Sequence, residues 1–412
     1  MGLRIVHWDP NFLCGGAVSR SVLGLATNQV RLGAEVVVVA ARPSTPPLYG
    51  SAGGSRGVTV FEWQPRWALQ FDRLSLRGVP HGAHRKLRAF RPDVVHVHGG
   101  FNPDNLWVPR LFECPIVFSP HGSYHPQVFL KSRRIAKSLY LQIERRLLLH
   151  HVTAVHALSP IEAAHLRRLL PGRQVYCLPQ GPGIPTSQPV SREEPDGPEG
   201  VVTFVFVGRL DVFTKGLDIL LEAFAQAERR LTGRGIRLAL VGPDWRGGED
   251  WLRRRGRELG IADHVVFHGS LSGPQVLSAL NQSHIYVQLS RHDAFSLSAA
   301  EALLMGKPAI LSKAVGPGSY PEVGTLPHVR IVLGGASETA EAMVDWVRRL
   351  SDLQIAAEQH LSDLSNFFSW ERIAKSQLMV YEKIKTGLLL GTLDGSSEMG
   401  SGTALHPGAL NN

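Results

Sequence analysis

Between residues 180 and 200 the chain reads QGPGIPTSQPVSREEPDGPEG, and on both sides of it one alternation of short apolar strands with helical stretches starts afresh. Before it come LRIVHW, a loop DPNFLCGGA, a helical stretch from Ser19 to Leu32 and EVVVVA. VVHVH, PIVFSP, VTAVHAL and QVYCLP follow, each leading into a loop. After it come VTFVFV, GLDILLEAFAQAERR, RLALVG, EDWLRRRGREL, HVVFHG, PQVLSALN, HIYVQLS, SLSAAEALLMG and PAILS. Strand, crossover helix and strand in succession make parallel sheets covered on both faces, and ligands gather beyond the carboxyl ends of such strands. The intervening segment has too much Pro, Gly, Ser and charge to bury a core and reads as a linker. The pattern predicts an α/β chain of two Rossmann-like, doubly wound domains, 1–190 and 200–365, facing each other across a cleft. The apolar positions Phe368, Ile373, Met379 and Tyr381 predict a docking helix over 366–385, and the Gly, Ser and Thr content of 386–412 predicts a disordered tail.

At 412 residues the chain has room for two cores. No apolar run approaches the ~18 residues of a bilayer span. The opening MGLRIVHWDP lacks the basic, apolar and small-residue succession of a secretory signal, and Cys14, Cys114 and Cys177 form neither a disulfide framework nor a CxxC site. A reducing, cytoplasmic setting is the expectation. The net charge of +9 is unevenly shared: residues 1–190 carry +13 and the remainder −4. The first half is therefore suited to an anionic partner, or simply presents a solvated basic face.

Four constellations could carry chemistry. Arg209 and Lys215 lie between the strand ending at Val207 and a helix starting near Gly216, where free backbone N–H groups already favour an anion. Two cations there can clamp a phosphate, or stand solvated in a surface loop. Downstream, Asp293 and Glu301 are eight apart; the N–H groups of Phe295, Ser296 and Leu297 would sit at a helix start, and Glu301 could accept from a ribose diol or lie exposed. Gly15 and Gly16 follow the first strand and can bring backbone amides to a ligand. Their spacing is not GxGxxG and no acid ends the second strand, which removes the support for a dinucleotide site. His96 and His98 share a strand face, with His121 and His125 after the next strand; a metal site is conceivable, but no carboxylate or thiolate accompanies them. No DxD occurs in the chain, so no acidic handle for a diphosphate-bound metal is expected. The aromatic and basic patterning of a nucleic-acid module is missing too.

Taken together, GGAVSRSVLGLATNQVRLGAEVVVV, PDVVHVHG, SPHGSY, VGRL…KGLDILLEAF, the D-x7-E block with EALLMGKPAILS, and FSWERIAKSQLMVYEK resemble the family 4 retaining glycosyltransferases of the GT-B fold. The resemblance implies transfer of a sugar from a nucleotide-diphosphate donor to a glycan or lipid-linked acceptor, with no cofactor and no metal. It implies that Arg209 and Lys215 grip the donor diphosphate and Glu301 holds the nucleotide ribose. Asp293 stands where a glutamate is usual, one methylene shorter. His121 matches a histidine near the donor sugar, and Gly15 and Gly16 match the glycine loop beside the phosphates. The last helix matches a segment crossing back onto the first domain. DAFS replaces the usual E-G-F-G, and QGPGIP carries no expected ligand contact.

The acceptor is less visible. In KSRRIAKSLYLQIERRLLLH (131–150), Ile135, Leu139, Ile143 and Leu147 form one helical stripe among Lys131, Arg133, Arg134, Lys137, Arg145 and Arg146. Such a helix either lies peripherally on an anionic membrane or packs its stripe against the sheet. Two other functions stand beside transfer: a GT-B sugar-nucleotide epimerase, which needs no acceptor, and a non-enzymatic anionic-ligand binding protein.

Overall fold

The computed structural model describes residues 2–42, 57–65, 68–71, 74–130, 134–184, 200–231 and 235–388. Fifteen strands are described: β1 (Arg4–Trp8), β2 (Glu35–Ala41), β3 (Thr59–Trp63), β4 (Ala68–Phe71), β5 (Leu74–Arg77), β6 (Val94–His98), β7 (Ile116–Ser119), β8 (Ala154–Ala157), β9 (Gln174–Cys177), β10 (Val202–Val207), β11 (Ile236–Val241), β12 (Val265–Gly269), β13 (Ile285–Gln288), β14 (Ala309–Ser312) and β15 (Val329–Val332). The first sheet has the order β3-β2-β1-β6-β7-β8-β9 and the second β12-β11-β10-β13-β14-β15, with every pairing in both parallel. Each order reverses direction once, beside β1 and beside β10, and these switch points are where doubly wound sheets open a crevice. Two Rossmann-like domains result.

The central strands are what runs such as VTFVFV predict: β10 is buried along its whole length, because helices cover both faces. β3, β15 and the antiparallel hairpin of β4 and β5 are additions that the strand pattern did not announce. β3 and β15 are edge strands that mix exposed, half-buried and buried residues, which shortens the apolar run that marks a strand.

The linker reading needs correction at its start. Gln180, Gly181 and Ile184 are buried, and the segment passes between the domains. Residues 185–199, including the rest of that linker, and residues 389–412 of the expected tail lie outside the described residues.

The final helix runs from Trp370 to Lys385 and packs on the helix Ala17–Arg31 of the first domain. Ile373, Ala374, Gln377, Val380, Tyr381 and Ile384 form its buried face, and Val380, Tyr381 and Ile384 share a core cluster with Ile5, Val38 and Val117. Met379, expected on that face, is 52% exposed, since it lies off the stripe. At the helix start the Trp370 indole N–H donates to Pro182 O at 2.9 Å, and its ring fills the space that side chains on Gly24 and Gly181 would need.

The basic helix also departs from one of its two readings. The described part is Arg134–Glu144, followed by a π-helical turn Arg145–Leu149; Lys131 and Arg133 lie outside the described residues. The stripe does not bury itself against the sheet: Ile135 is 77%, Leu139 63% and Ile143 48% exposed, and only its last member, Leu147, is half-buried. Leu141, Leu148 and Leu149 are buried instead. No described helix is long and apolar enough to cross a membrane.

Candidate active site

The loops that leave the carboxyl ends of β7 and β13 meet between the domains around a cleft lined by Gly122, Tyr124, His125 and Glu162 from the first domain and His292, Asp293 and Ala294 from the second. His292 Nε2 donates to Gly122 O at 2.8 Å, and its ring stacks on His125 with centroids 3.8 Å apart. Tyr320 donates from its hydroxyl to Leu158 O at 2.9 Å. Polar contacts across the two domains therefore frame the site.

His121 opens the turn after β7 with φ 50°, a left-handed conformation that costs a non-glycine residue roughly 1–2 kcal/mol. Such strain persists only where the surroundings enforce it, and it gathers at functional sites. Here Glu162 enforces it: one carboxylate oxygen accepts from Gly122 N at 2.7 Å and the other from Leu158 N at 2.8 Å. Burial pushes the Glu162 carboxyl up to about 7 despite these bonds. The S-P-I-E spacing from Ser159 signals a helix start, but not that its acid would reach back to shape a neighbouring loop. Neither Glu162 nor His292 was singled out from sequence.

In the second domain Asp211 caps the turn Val212–Lys215, its Oδ1 accepting from Thr214 N at 3.0 Å. Gly216 then turns the chain at φ 64° into the helix Leu217–Arg230, and a Cβ there would stand 2.0 Å from Leu289 O. This close approach delivers Lys215 to the loop after β13, where Nζ lies 2.5 Å from Asp293 Oδ2. Gln288 Nε2 donates to the same oxygen at 2.7 Å. Arg209 does not join this pair: its guanidinium lies over the Trp245 ring, 4.3 Å from the centroid.

Ser296 caps the helix Leu297–Leu304, accepting from Ala299 N at 3.2 Å and donating to Gln288 Oε1 at 2.6 Å. Phe295 and Leu297 are buried, Phe295 edge-on to Phe368. Glu301 is not exposed. Its Oε1 accepts from both Gly183 N and Ile184 N at 3.0 Å, which puts QGPGIP in the site region through a contact that no spacing in the chain announces. Burial raises the Glu301 carboxyl to about 7, and Arg20 opposes that rise. Arg20 belongs to the first turn of the helix capped by Gly16, with Gly15 left-handed at φ 70° just before it. The glycine loop and Glu301 thus occupy neighbouring positions on opposite sides of the domain boundary.

His7, His96 and His98 bring ring nitrogens within 4.8 Å of one another. Both nitrogens of His96 are engaged, by Tyr381 and Ser119, and both of His7, by Gln29 and His98. The cluster reads as a hydrogen-bonded network rather than a set of lone pairs aimed at one centre.

Residues 15–181 match the family described as Glycosyltransferase Family 4, and residues 187–354 match Glycosyl transferases group 1. The chain belongs to the family 4 glycosyltransferases of the GT-B fold. It is similar to a phosphatidylinositol N-acetylglucosaminyltransferase polypeptide of Arabidopsis thaliana, 25% identical over 91% of this chain and 79% of that one. The phosphatidyl-myo-inositol mannosyltransferase of Mycobacterium leprae is 24% identical over 71% and 74%. Among solved structures, the sucrose-phosphate synthase of Thermosynechococcus elongatus superposes with a TM-score of 0.70 at 19% identity, covering 93% of this chain and all (100%) of that one.

Proposed function

We propose that this glycosyltransferase moves a sugar, with retention of configuration and without a metal ion, from a nucleotide-diphosphate donor to a lipid-linked or glycan acceptor. The observation that carries the reading is that Asp293, ion-paired with Lys215, lines one cleft together with Gly122 of the His121 turn. Breaking the bond between the anomeric carbon and the diphosphate leaves negative charge on the departing phosphate. Lys215, joined by Arg209 once it leaves Trp245, stabilises that charge; a well-placed donor in a cleft contributes ~2.7–4 kcal/mol to the transition state. Glu301 and the amides of Phe295, Ser296 and Leu297 face the nucleotide, while Gly15, Gly16 and the helix start behind them face the phosphates.

Retention by double displacement needs a carboxylate free to attack the sugar. Glu162 spends both oxygens on backbone amides, and Asp293 holds Lys215 and Gln288 on one oxygen. This favours attack on the face from which the diphosphate leaves: the acceptor oxygen bonds to the anomeric carbon, and its proton passes to the departing phosphate oxygen. Asp293 orients the lysine and the sugar.

The exposed Ile135, Leu139 and Ile143, flanked by Arg134 and Arg146, suit a peripheral position on an anionic, cytoplasm-facing membrane surface, from which a lipid-linked acceptor is reached. Two relatives named for phosphatidylinositol substrates support that acceptor class.

A thermal-shift panel of UDP-, GDP- and ADP-sugars identifies the donor, and transfer is then assayed with excess EDTA. Full activity in EDTA is expected. Activity that is lost and returns with magnesium sinks metal independence, and an epimerised donor formed without acceptor sinks transfer.

A further inference from the structure

Behind His121 the first sheet carries buried histidines for which the transfer reaction described above has no use. β1, β6, β7 and β8 lie side by side, and residues at alternate positions share a face, so His7, His96, His98 and His156 come into ring contact. Two hydrogen-bonded lines run through them. In the first, Gln29 Oε1 lies 2.7 Å from His7 Nε2 and His7 Nδ1 lies 3.0 Å from His98 Nε2. His98 Nδ1 then lies 3.1 Å from His121 Nε2, and His121 Nδ1 lies 3.4 Å from Gln180 Nε2. The second runs from the Tyr381 hydroxyl through His96, Ser119 and His156 to Leu178 O.

The first line has a fixed sense. A carbonyl oxygen only accepts, so Gln29 obliges His7 to carry its proton on Nε2 and to present a lone pair from Nδ1. A neutral imidazole has one donor and one acceptor nitrogen, so the obligation passes along the line. His98 donates from Nε2 and accepts at Nδ1; His121 donates from Nε2, and its Nδ1 is left as an acceptor. Only the Gln180 amide faces that acceptor along this line, at a long 3.4 Å, while Gln180 Oε1 accepts from Ser21 Oγ at 3.0 Å. Burial keeps the rings neutral, lowering His7 to about 4, His121 to about 3 and His98 well below its ordinary value. An imidazolium in the line would set two N–H groups against each other.

We propose that Gln29, His7 and His98 are positioning residues that hold His121 as its Nε2–H tautomer, so that His121 Nδ1 accepts a hydroxyl hydrogen of the donor sugar in place of the Gln180 amide. The sugar part rests on the proposed transfer reaction; the tautomer is a property of the protein alone. Donors bearing a hydroxyl at that position are favoured over their deoxy counterparts.

The test is ¹⁵N–¹H correlation of the imidazoles in histidine-labelled full chain at pH 7. Bare Nδ1 and protonated Nε2 are expected for His7, His98 and His121. In His98→Phe, His121 shifts toward the Nδ1–H form, whereas Ser119→Ala, which breaks the second line alone, leaves it unchanged. His98→Gln restores the wild-type pattern, because an amide donates on one side and accepts on the other. With the donor found by thermal shift, His98→Phe lowers kcat/KM about tenfold, the loss of one hydrogen bond, and His98→Gln recovers it. Nδ1–H or imidazolium at His121 in the wild type overturns the proposal even if no variant folds. An unchanged His121 in His98→Phe does the same, and so do correct tautomers with kinetics indifferent to His98. Intact tautomers in a protein that transfers no sugar refute the transfer reading and leave the tautomer assignment standing.

Discussion

Lys215→Met separates two jobs that one side chain performs. It removes the ammonium 2.5 Å from Asp293 Oδ2 and leaves that oxygen with Gln288 Nε2 at 2.7 Å. The two partners are only 17% and 14% exposed, so the abandoned carboxylate costs ~1–3 kcal/mol of folding stability. In turnover the lost cation costs ~2.7–4 kcal/mol, roughly 10²–10³ in kcat. The double variant Lys215→Met/Asp293→Asn removes the stranded charge as well. Its stability is expected to return to within ~1 kcal/mol of wild type, because residues in contact couple and do not add. Its rate is expected to stay low, since the Lys215 ammonium that would meet the leaving phosphate is still missing. Urea unfolding supplies the first quantity and initial rates of transfer, with the donor identified by thermal shift, the second. A double variant within about threefold of wild-type kcat refutes the argument: Lys215 would then serve only to neutralise Asp293.

Three further outcomes follow from the structure. Gly216→Ala combines a left-handed φ with a Cβ 2.0 Å from Leu289 O and is expected to lose ~2 kcal/mol or more in urea unfolding; an unchanged midpoint contradicts the close approach. The Glu162 carboxyl rises from 4.5 to about 7 on folding, so its contribution is full below pH 4.5 and is lost as pH climbs toward 7. Glu162→Gln lacks that term, and its stability cost relative to wild type is therefore smaller at pH 8 than at pH 5; an equal or larger cost at pH 8 reverses the sign and refutes it. Replacing Ile135, Leu139 and Ile143 with Ser is expected to abolish sedimentation with phosphatidylglycerol vesicles while leaving the melting temperature within about 2 °C, as exposed positions allow. Retained vesicle binding removes the membrane surface from this helix.

The central strands were legible because a strand buried on both faces is a nearly continuous apolar run, as β2 is after Glu35 and β10 is apart from Thr203. The edge strand β3 was not, since TVFEW is half exposed and has no such run. The site divides along similar lines. Arg209 and Lys215 stand out as cations beside glycine after one apolar strand and Asp293 as an acid after another, and those positions can be read along the chain. What each touches cannot: Lys215 meets Asp293 across 78 residues, and Glu301 meets Gly183 across 118. The stripe of Ile135 and Leu139 shows the limit most clearly, because helical spacing defines a face without saying whether protein or solvent lies opposite. His7 was hidden for the opposite reason: it looks like an ordinary core histidine until β1 and β6 are set side by side, and the partner that His98 finds in it cannot be read along the chain.

The helix Trp370–Lys385 has a consequence for how the polypeptide is made. Its Val380, Tyr381 and Ile384 complete an apolar cluster otherwise supplied by buried residues of the first domain, from Leu3 to Leu178, and Trp370 seals Gly24 and Gly181. A ribosome that has finished the first half has therefore released a body with an open seam, which stays open while nearly two hundred more residues are translated. Truncation ahead of Trp370 is a lesion of the opposite end of the molecule, and nascent chains stalled there are the ones a chaperone should hold longest.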